Sequence, residues 1–303
     1  MAIRRRMLPM DAIPGLNGFV LYFALPSMLY RFGASSPISQ LLDPTLFLSY
    51  LLCALLMVGF TVAVSLNVRI GWDDAAFGAL VAAFPNTGFM GVPLLVALLG
   101  AGAAGPAIVT IVVDLVITTS LCVALSRLDG ADEHGAARAA KNALKAVLAN
   151  PMPWAISLGV VASAMSYELA GPLAKTVGLL ADSASPVALF TIGAVLARSQ
   201  ELTLASDHEP MLMRDYVPIA CFKLLLHPLL VLLVFSAVMQ LGFAMDRFTM
   251  VVVVLVAALP SASNVALLTE RFEANTGRVA QIILVTTVVA FFTFSGAVAV
   301  LHA

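Results

Sequence analysis

Apolar residues arrive in long blocks, and polar residues collect in short links between them. Nine blocks stand out, near 13–30, 45–66, 75–99, 104–125, 152–169, 176–197, 213–240, 247–268 and 279–301. A helix that crosses the hydrocarbon core of a bilayer needs about 20 mostly apolar residues. The pattern therefore predicts an all-α polytopic membrane protein with nine helices. The first block is short, and the third and eighth are interrupted. The longest polar link, 126–150, carries Arg127, Asp129, Asp132, Glu133, Arg138, Lys141 and Lys145. Its Ala-rich part, 136–149, reads as an amphipathic surface helix. The whole link reads as a cytoplasmic connection between the halves 1–125 and 151–303.

The interruption in the third block is Phe84-Pro85-Asn86-Thr87-Gly88-Phe89-Met90-Gly91-Val92-Pro93. Each backbone group freed by such a break costs several kcal/mol in lipid unless protein or trapped water satisfies it. A break of this kind is kept where it lines a cavity. The eighth block holds a counterpart. Val81-Ala82-Ala83-Phe84-Pro85-Asn86 resembles Val256-Ala257-Ala258-Leu259-Pro260-Ser261 at an offset of 175 residues. Leu25-Pro26-Ser27 and Ser185-Pro186-Val187 agree more loosely, each within an earlier helix of its half. The two breaks lie five helices apart, an odd number, so the two copies run in opposite directions. Inverted repeats of this kind mark many secondary transporters. The broken helix is fourth of five in the second half but third of four in the first. The expectation is that a first helix, ahead of residue 13, is absent. Met1-Ala2-Ile3-Arg4-Arg5-Arg6 would then be the cytoplasmic loop after it.

Composition sharpens the class. The chain is 61% hydrophobic and only 11% charged, against about 25% charged residues in a soluble domain. The net charge of −1 provides no basic field for nucleic acid. Cys53, Cys122 and Cys221 sit in separate blocks without pair spacing and read as small packing residues. Pro9, Asp11, Pro14 and Asn17 interrupt the stretch after Arg4-Arg5-Arg6, so no secretory signal is formed there. With the N-terminus in the cytoplasm, alternation places 12 Lys and Arg residues inside and 3 outside, with Lys223 within a helix. That bias follows the positive-inside rule. It predicts an N-terminus in the cytoplasm and a C-terminus outside; the expected location is a bacterial inner membrane.

The candidate chemistry lies at the breaks. Half-helix N-termini present free N–H groups and the positive dipole end, which suit an anion; C-terminal carbonyls suit a cation. Asn86 adds an amide with donors and an acceptor, Thr87 a hydroxyl, and Gly88 and Gly91 close backbone approach. Ser261, Ser263 and Asn264 are the second-half counterparts, and Pro85, Pro93 and Pro260 define the crossover. The structural alternative is a pair of kinked helices with small residues for packing. Two lone intramembrane charges, Asp114 and Lys223, are costly in lipid and must face the bundle interior or water. Asp114 is a candidate for a coupling proton or cation, and Lys223 for attracting a carboxylate. The alternative is an internal ion pair, or satisfaction of broken-helix carbonyls. His227, one turn from Lys223, reads as a packing imidazole more readily than as a titrating group. Glu168, Asp73 and Asp74 read as solvated ends. Motifs for nucleotide hydrolysis, for serine or zinc hydrolysis and for paired carboxylates on one helix do not occur, so no enzyme and no bound cofactor is expected.

The string Pro85-Asn86-Thr87-Gly88-Phe89-Met90-Gly91-Val92-Pro93-Leu94-Leu95 closely resembles the crossover motif of the auxin efflux carrier family. That family includes plant auxin exporters and bacterial malonate or malate permeases. Asn17-Gly18-Phe19-Val20-Leu21-Tyr22-Phe23-Ala24-Leu25-Pro26, Lys223-Leu224-Leu225-Leu226-His227-Pro228 and Ala258-Leu259-Pro260-Ser261 match as well, so the likeness runs through the whole chain. The resemblance implies two inverted five-helix repeats, a crossing of the broken helices at their prolines, and an elevator motion of a transport body against a scaffold. It also implies that Asn86 holds a substrate carboxylate. The expected function is secondary transport of a small organic anion, a mono- or dicarboxylate such as malonate or malate. One alternative is a sodium-coupled organic-anion symporter of the bile-acid-symporter fold. Another is a membrane sensor that binds without carrying. The coupling ion, H+ or Na+, stays open, as does a homodimer.

Overall fold

The computed structural model describes residues 9, 11–35, 43–67, 70–128, 151–205, 212–272 and 274–302. Among them are eleven α-helical elements: α1 (Ala12–Ser35), α2 (Pro44–Ser65), α3 (Trp72–Ala83), α4 (Val92–Leu99), α5 (Ala104–Leu125), α6 (Pro151–Ala164), α7 (Gly171–Ala205), α8 (Met213–Gln240), α9 (Arg247–Ala257), α10 (Asn264–Arg271) and α11 (Thr276–His302). Taken as pairs across the breaks, α3 with α4 and α9 with α10 give the nine units that the apolar pattern predicts. Five helices, α1, α2, α5, α8 and α11, are each long and apolar enough to cross a membrane. The chain is an all-α polytopic membrane protein. Boundaries shift where periodicity says little: the first unit extends to Ser35, and the sixth lengthens to Gly171–Ala205 around Pro186. The amphipathic helix expected over 136–149 and the basic N-terminus lie outside the described residues.

Local chemistry sets the helix ends. Pro44 starts α2 with its fixed φ, and Asp43 accepts from the N–H groups of Thr45 and Leu46. Asp246 caps α9 through Thr249 N–H at 2.7 Å. Gly100, at φ 89°, makes the tight link from α4 to the turn that opens α5.

Among the described residues, four five- or six-residue stretches take the wider π-helical pitch: Val20–Ala24 in α1, Thr87–Gly91 before α4, Val113–Thr118 in α5 and Phe222–Leu226 in α8. Such insertions concentrate at functional sites. Here one carries Asp114 and another Lys223.

Packing divides the helices into two groups. α1 lies chiefly against α6 and α7. Gly33 and Gly159 make that approach possible. A Cβ on Gly159 would stand 2.3 Å from the carbonyl oxygen of Tyr30, and one on Gly33 would stand 2.6 Å from that of Ile156. Small residues let helix backbones close in this way where no hydrophobic drive separates helix from lipid. The second group is α2, α3, α5, α8, α9 and α11, with α3 against α2 and α9 against α8. α3 sits at its centre, buried without interruption from Ala75 to Ala83.

One expectation needs correcting. Asp74 is not a solvated end. Its carboxylate accepts from Asn275 N–H at 3.0 Å, and its carbonyl accepts from Arg278 Nη1 at 2.8 Å. Arg278 also donates through Nε to the carbonyl of Asp215 at 2.7 Å. One buried guanidinium therefore ties the start of α11 to the first turns of α3 and α8, because its planar fork reaches two carbonyls at once.

Candidate functional site at the crossing of the two breaks

α3 ends at Ala83 and α9 at Ala257 because Pro85 and Pro260 have no N–H to continue the ladder. The two freed strands then pair with each other. Asn86 N–H donates to Pro260 O at 2.8 Å, and Ala262 N–H donates to Phe84 O at 2.9 Å. The result is a one-rung antiparallel bridge between Pro85 and Ser261, fully inside the protein. The breaks satisfy one another's main chain, as burial in a membrane requires.

Past the bridge, each chain starts a new helical turn. Among the described hydrogen bonds, the N–H groups of Gly88 and Phe89 on one side and of Ser263 and Asn264 on the other take no acceptor. These four residues occupy matching places, three and four positions after each proline. Asn86 Nδ2 reaches across to Ser263 Oγ at 3.3 Å. Ser261 Oγ is buried without a hydrogen-bond partner. A small cavity of about 20 Å³ lies here, lined on the crossing side by Pro85, Asn86, Gly88, Phe89, Ala262 and Asn264. Its opposite wall is Leu25, Met28 and Leu29 of α1. A space of that size holds a water molecule, not an organic acid.

The predicted site residues fall into three places. Asn86, Gly88 and Asn264 line the cavity; Ser263 does not line it but accepts from Asn86, and Ser261 is buried at the bridge. Thr87 turns its hydroxyl back on Pro85 O at 3.4 Å. Pro93 is not at the crossing; it sits in the first turn of α4.

Asp114 and Lys223 form a separate buried set. Asp114 accepts from Tyr50 OH at 2.9 Å and from Thr118 Oγ1 at 3.2 Å. Lys223 Nζ donates to Ala257 O at 2.9 Å and lies 2.9 Å from His227 Nδ1. The Tyr50 and His227 ring centroids stand 6.4 Å apart, the first ring bonded to Asp114 and the second beside Lys223. His227 is thus a partner of Lys223 rather than a plain packing ring.

Sequence reasoning missed Tyr50, Thr118 and Thr286, whose Oγ1 accepts from Ser261 N–H at 3.2 Å. It also missed the α1 wall. A lone tyrosine in the run Leu48-Ser49-Tyr50-Leu51 was the available signal for the first.

A buried crossing of two proline-broken helices in an all-α bundle is an arrangement found in membrane transport proteins. The chain belongs to that family: the family model described as membrane transport protein matches residues 1–298. It is also 27% identical over 289 residues to a protein of Rhizobium meliloti (strain 1021) named "Putative malonate transporter", covering 95% of this chain and 87% of that one.

Proposed function

We propose that this membrane transporter carries a small organic anion, a mono- or dicarboxylate of the malonate or malate kind, by alternating access. The observation that carries the reading is the paired crossing. Two half-helix N-termini meet beside one cavity, lined by Asn86 and by Gly88, Phe89 and Asn264, whose N–H groups take no acceptor among the described hydrogen bonds. Oriented N–H groups at helix N-termini are a ready anion site. Asn86, Gly88 and Asn264 hold the carboxylate, Ser261 and Ser263 support them, and Lys223 adds a favourable field from behind. The substrate class is also in keeping with the name of the Rhizobium meliloti relative.

The mechanism follows from where the cavity closes. Its outer wall belongs to α1, in the group with α6 and α7, and its inner wall to the crossing. Sliding the crossing-bearing group past α1 opens the site to one side and then the other. The halves 1–125 and 151–303 act as inverted repeats, which supplies two equivalent end states. In this conformation the site is shut to all but water-sized molecules.

Counterflow of labelled malonate, malate and lactate in proteoliposomes tests the reading. Accelerated exchange with one or more of these acids is expected. Binding without any exchange would turn the protein into a sensor, and neither binding nor exchange across a broad acid panel would remove the carboxylate reading.

A further inference from the structure

The break in α9 frees carbonyls of its last turn from their helical partners, Ala257 O among them. In a continuous helix, Ala257 O would accept from Ser261 N–H. That N–H is instead turned to Thr286 Oγ1 at 3.2 Å, and Ala257 O is taken by Lys223 Nζ at 2.9 Å. Lys223 is fully buried, and its residue stands in the π-helical stretch Phe222–Leu226, which shifts it relative to a regular α8. The carbonyl end of a half-helix at mid-membrane is where a carrier of this build coordinates a metal cation. An ammonium placed there meets the negative end of the α9 dipole with the same charge.

Asp114 supplies the counter-charge. It too is fully buried and lies in a π-helical stretch, and its carboxylate is held by two hydroxyls, those of Tyr50 and Thr118. No basic group lies within 4 Å of it among the described residues; Lys223 is linked to it through Tyr50, which bonds Asp114, and the neighbouring His227 ring, which lies beside the ammonium. Both charges are costly in lipid alone and tolerable as a set.

We infer that the Lys223 ammonium is a tethered resident cation, filling the carbonyl end of the second broken helix where a transported metal cation would otherwise bind, with Asp114 as its counter-ion. The carrier then needs no sodium gradient, because the protein provides the cation itself. This rests on the carrier reading for its meaning in transport, but not for its test. α2, α5, α8 and α9 meet around the set and contribute Tyr50, Cys53, Asp114, Thr118, Cys122, Lys223, His227 and the Ala257 carbonyl. This supply of hydroxyls, thiols and one carboxylate offers no group of three acidic, His or Cys ligands among the described residues.

The experiment compares melting curves of purified protein in choline, potassium and sodium chloride at equal ionic strength, with no substrate present. Wild type is expected to melt at one temperature in all three salts. Lys223→Ala opens the carbonyl end, so its melting point should rise in millimolar ethylammonium or sodium but not in choline. If Lys223→Ala alone does not fold, Lys223→Ala with Asp114→Asn removes both charges and should recover a folded protein. A saturable, sodium-specific stabilisation of wild type overturns the inference. So does a folded Lys223→Ala protein that is indifferent to every small cation, or a double variant no better than the single one. Where the counterflow assay detects transport, wild-type rates in sodium and in choline should agree within about twofold. If counterflow fails altogether, the melting curves still decide the cation site.

Discussion

Replacing Asn86 with alanine separates what the crossing owes to its side chains from what it owes to its backbone. The two hydrogen bonds that join the broken helices, Asn86 N–H to Pro260 O and Ala262 N–H to Phe84 O, are main chain and survive the change. The side chain gives up its bond to Ser263 Oγ, which at 3.3 Å is long. Loss of one such neutral bond costs about 0.5–1.5 kcal/mol, so the variant should express and melt close to wild type. A bound carboxylate loses more. A hydrogen bond to a charged group contributes about 1.5–3 kcal/mol, and 1.4 kcal/mol is a factor of ten, so affinity should fall about 10- to 100-fold. Titration calorimetry of the detergent-purified protein against the acid that wins the counterflow screen measures this directly, with circular dichroism to confirm the helices. A folded Asn86→Ala protein whose dissociation constant stays within about threefold of wild type would refute the placement of the carboxylate at the first break.

The α1–α6 contact should be intolerant of a single methyl. Gly159→Ala puts a Cβ 2.3 Å from Tyr30 O and 2.9 Å from Ala34 N, both backbone. Forcing those helices apart should cost about 1–3 kcal/mol in thermal or denaturant melts. Gly296→Ala, with nothing within 4 Å of its Cβ, is the control and should be neutral or stabilising. Arg278→Met should destabilise by about 3 kcal/mol, since two charge-assisted bonds to carbonyls of separate helices are lost. Arg278→Lys should not restore it, because one ammonium cannot reproduce the fork; equal melting points for wild type and Met would discount the tie.

The bilayer makes much of this fold legible. Helices must be long, apolar and closed on themselves, so nine units could be read from blocks of hydrophobic residues. The breaks were legible for the converse reason, since Pro85 and Pro260 cannot continue a ladder and lipid does not tolerate the gap. What the sequence could not supply is rotation: which face each helix turns to its neighbour. α3 is buried all round, so its residues carry no stripe to read. The α1 wall and the Gly33–Gly159 contact depend on where helices pass each other, and neither has a local signature. The lone charges fall between the two cases. Asp114 and Lys223 were recognisable by their cost, yet the partners were a tyrosine hydroxyl 64 residues away and a main-chain carbonyl. That carbonyl was nevertheless foreseeable in part. A proline at 260 followed by a redirected Ser261 N–H must free an acceptor one turn back, at Ala257, and a buried lysine is the donor such an acceptor needs. Read together, a helix break and an intramembrane charge each locate the missing half of the other, and the pairing carries more information than either residue alone.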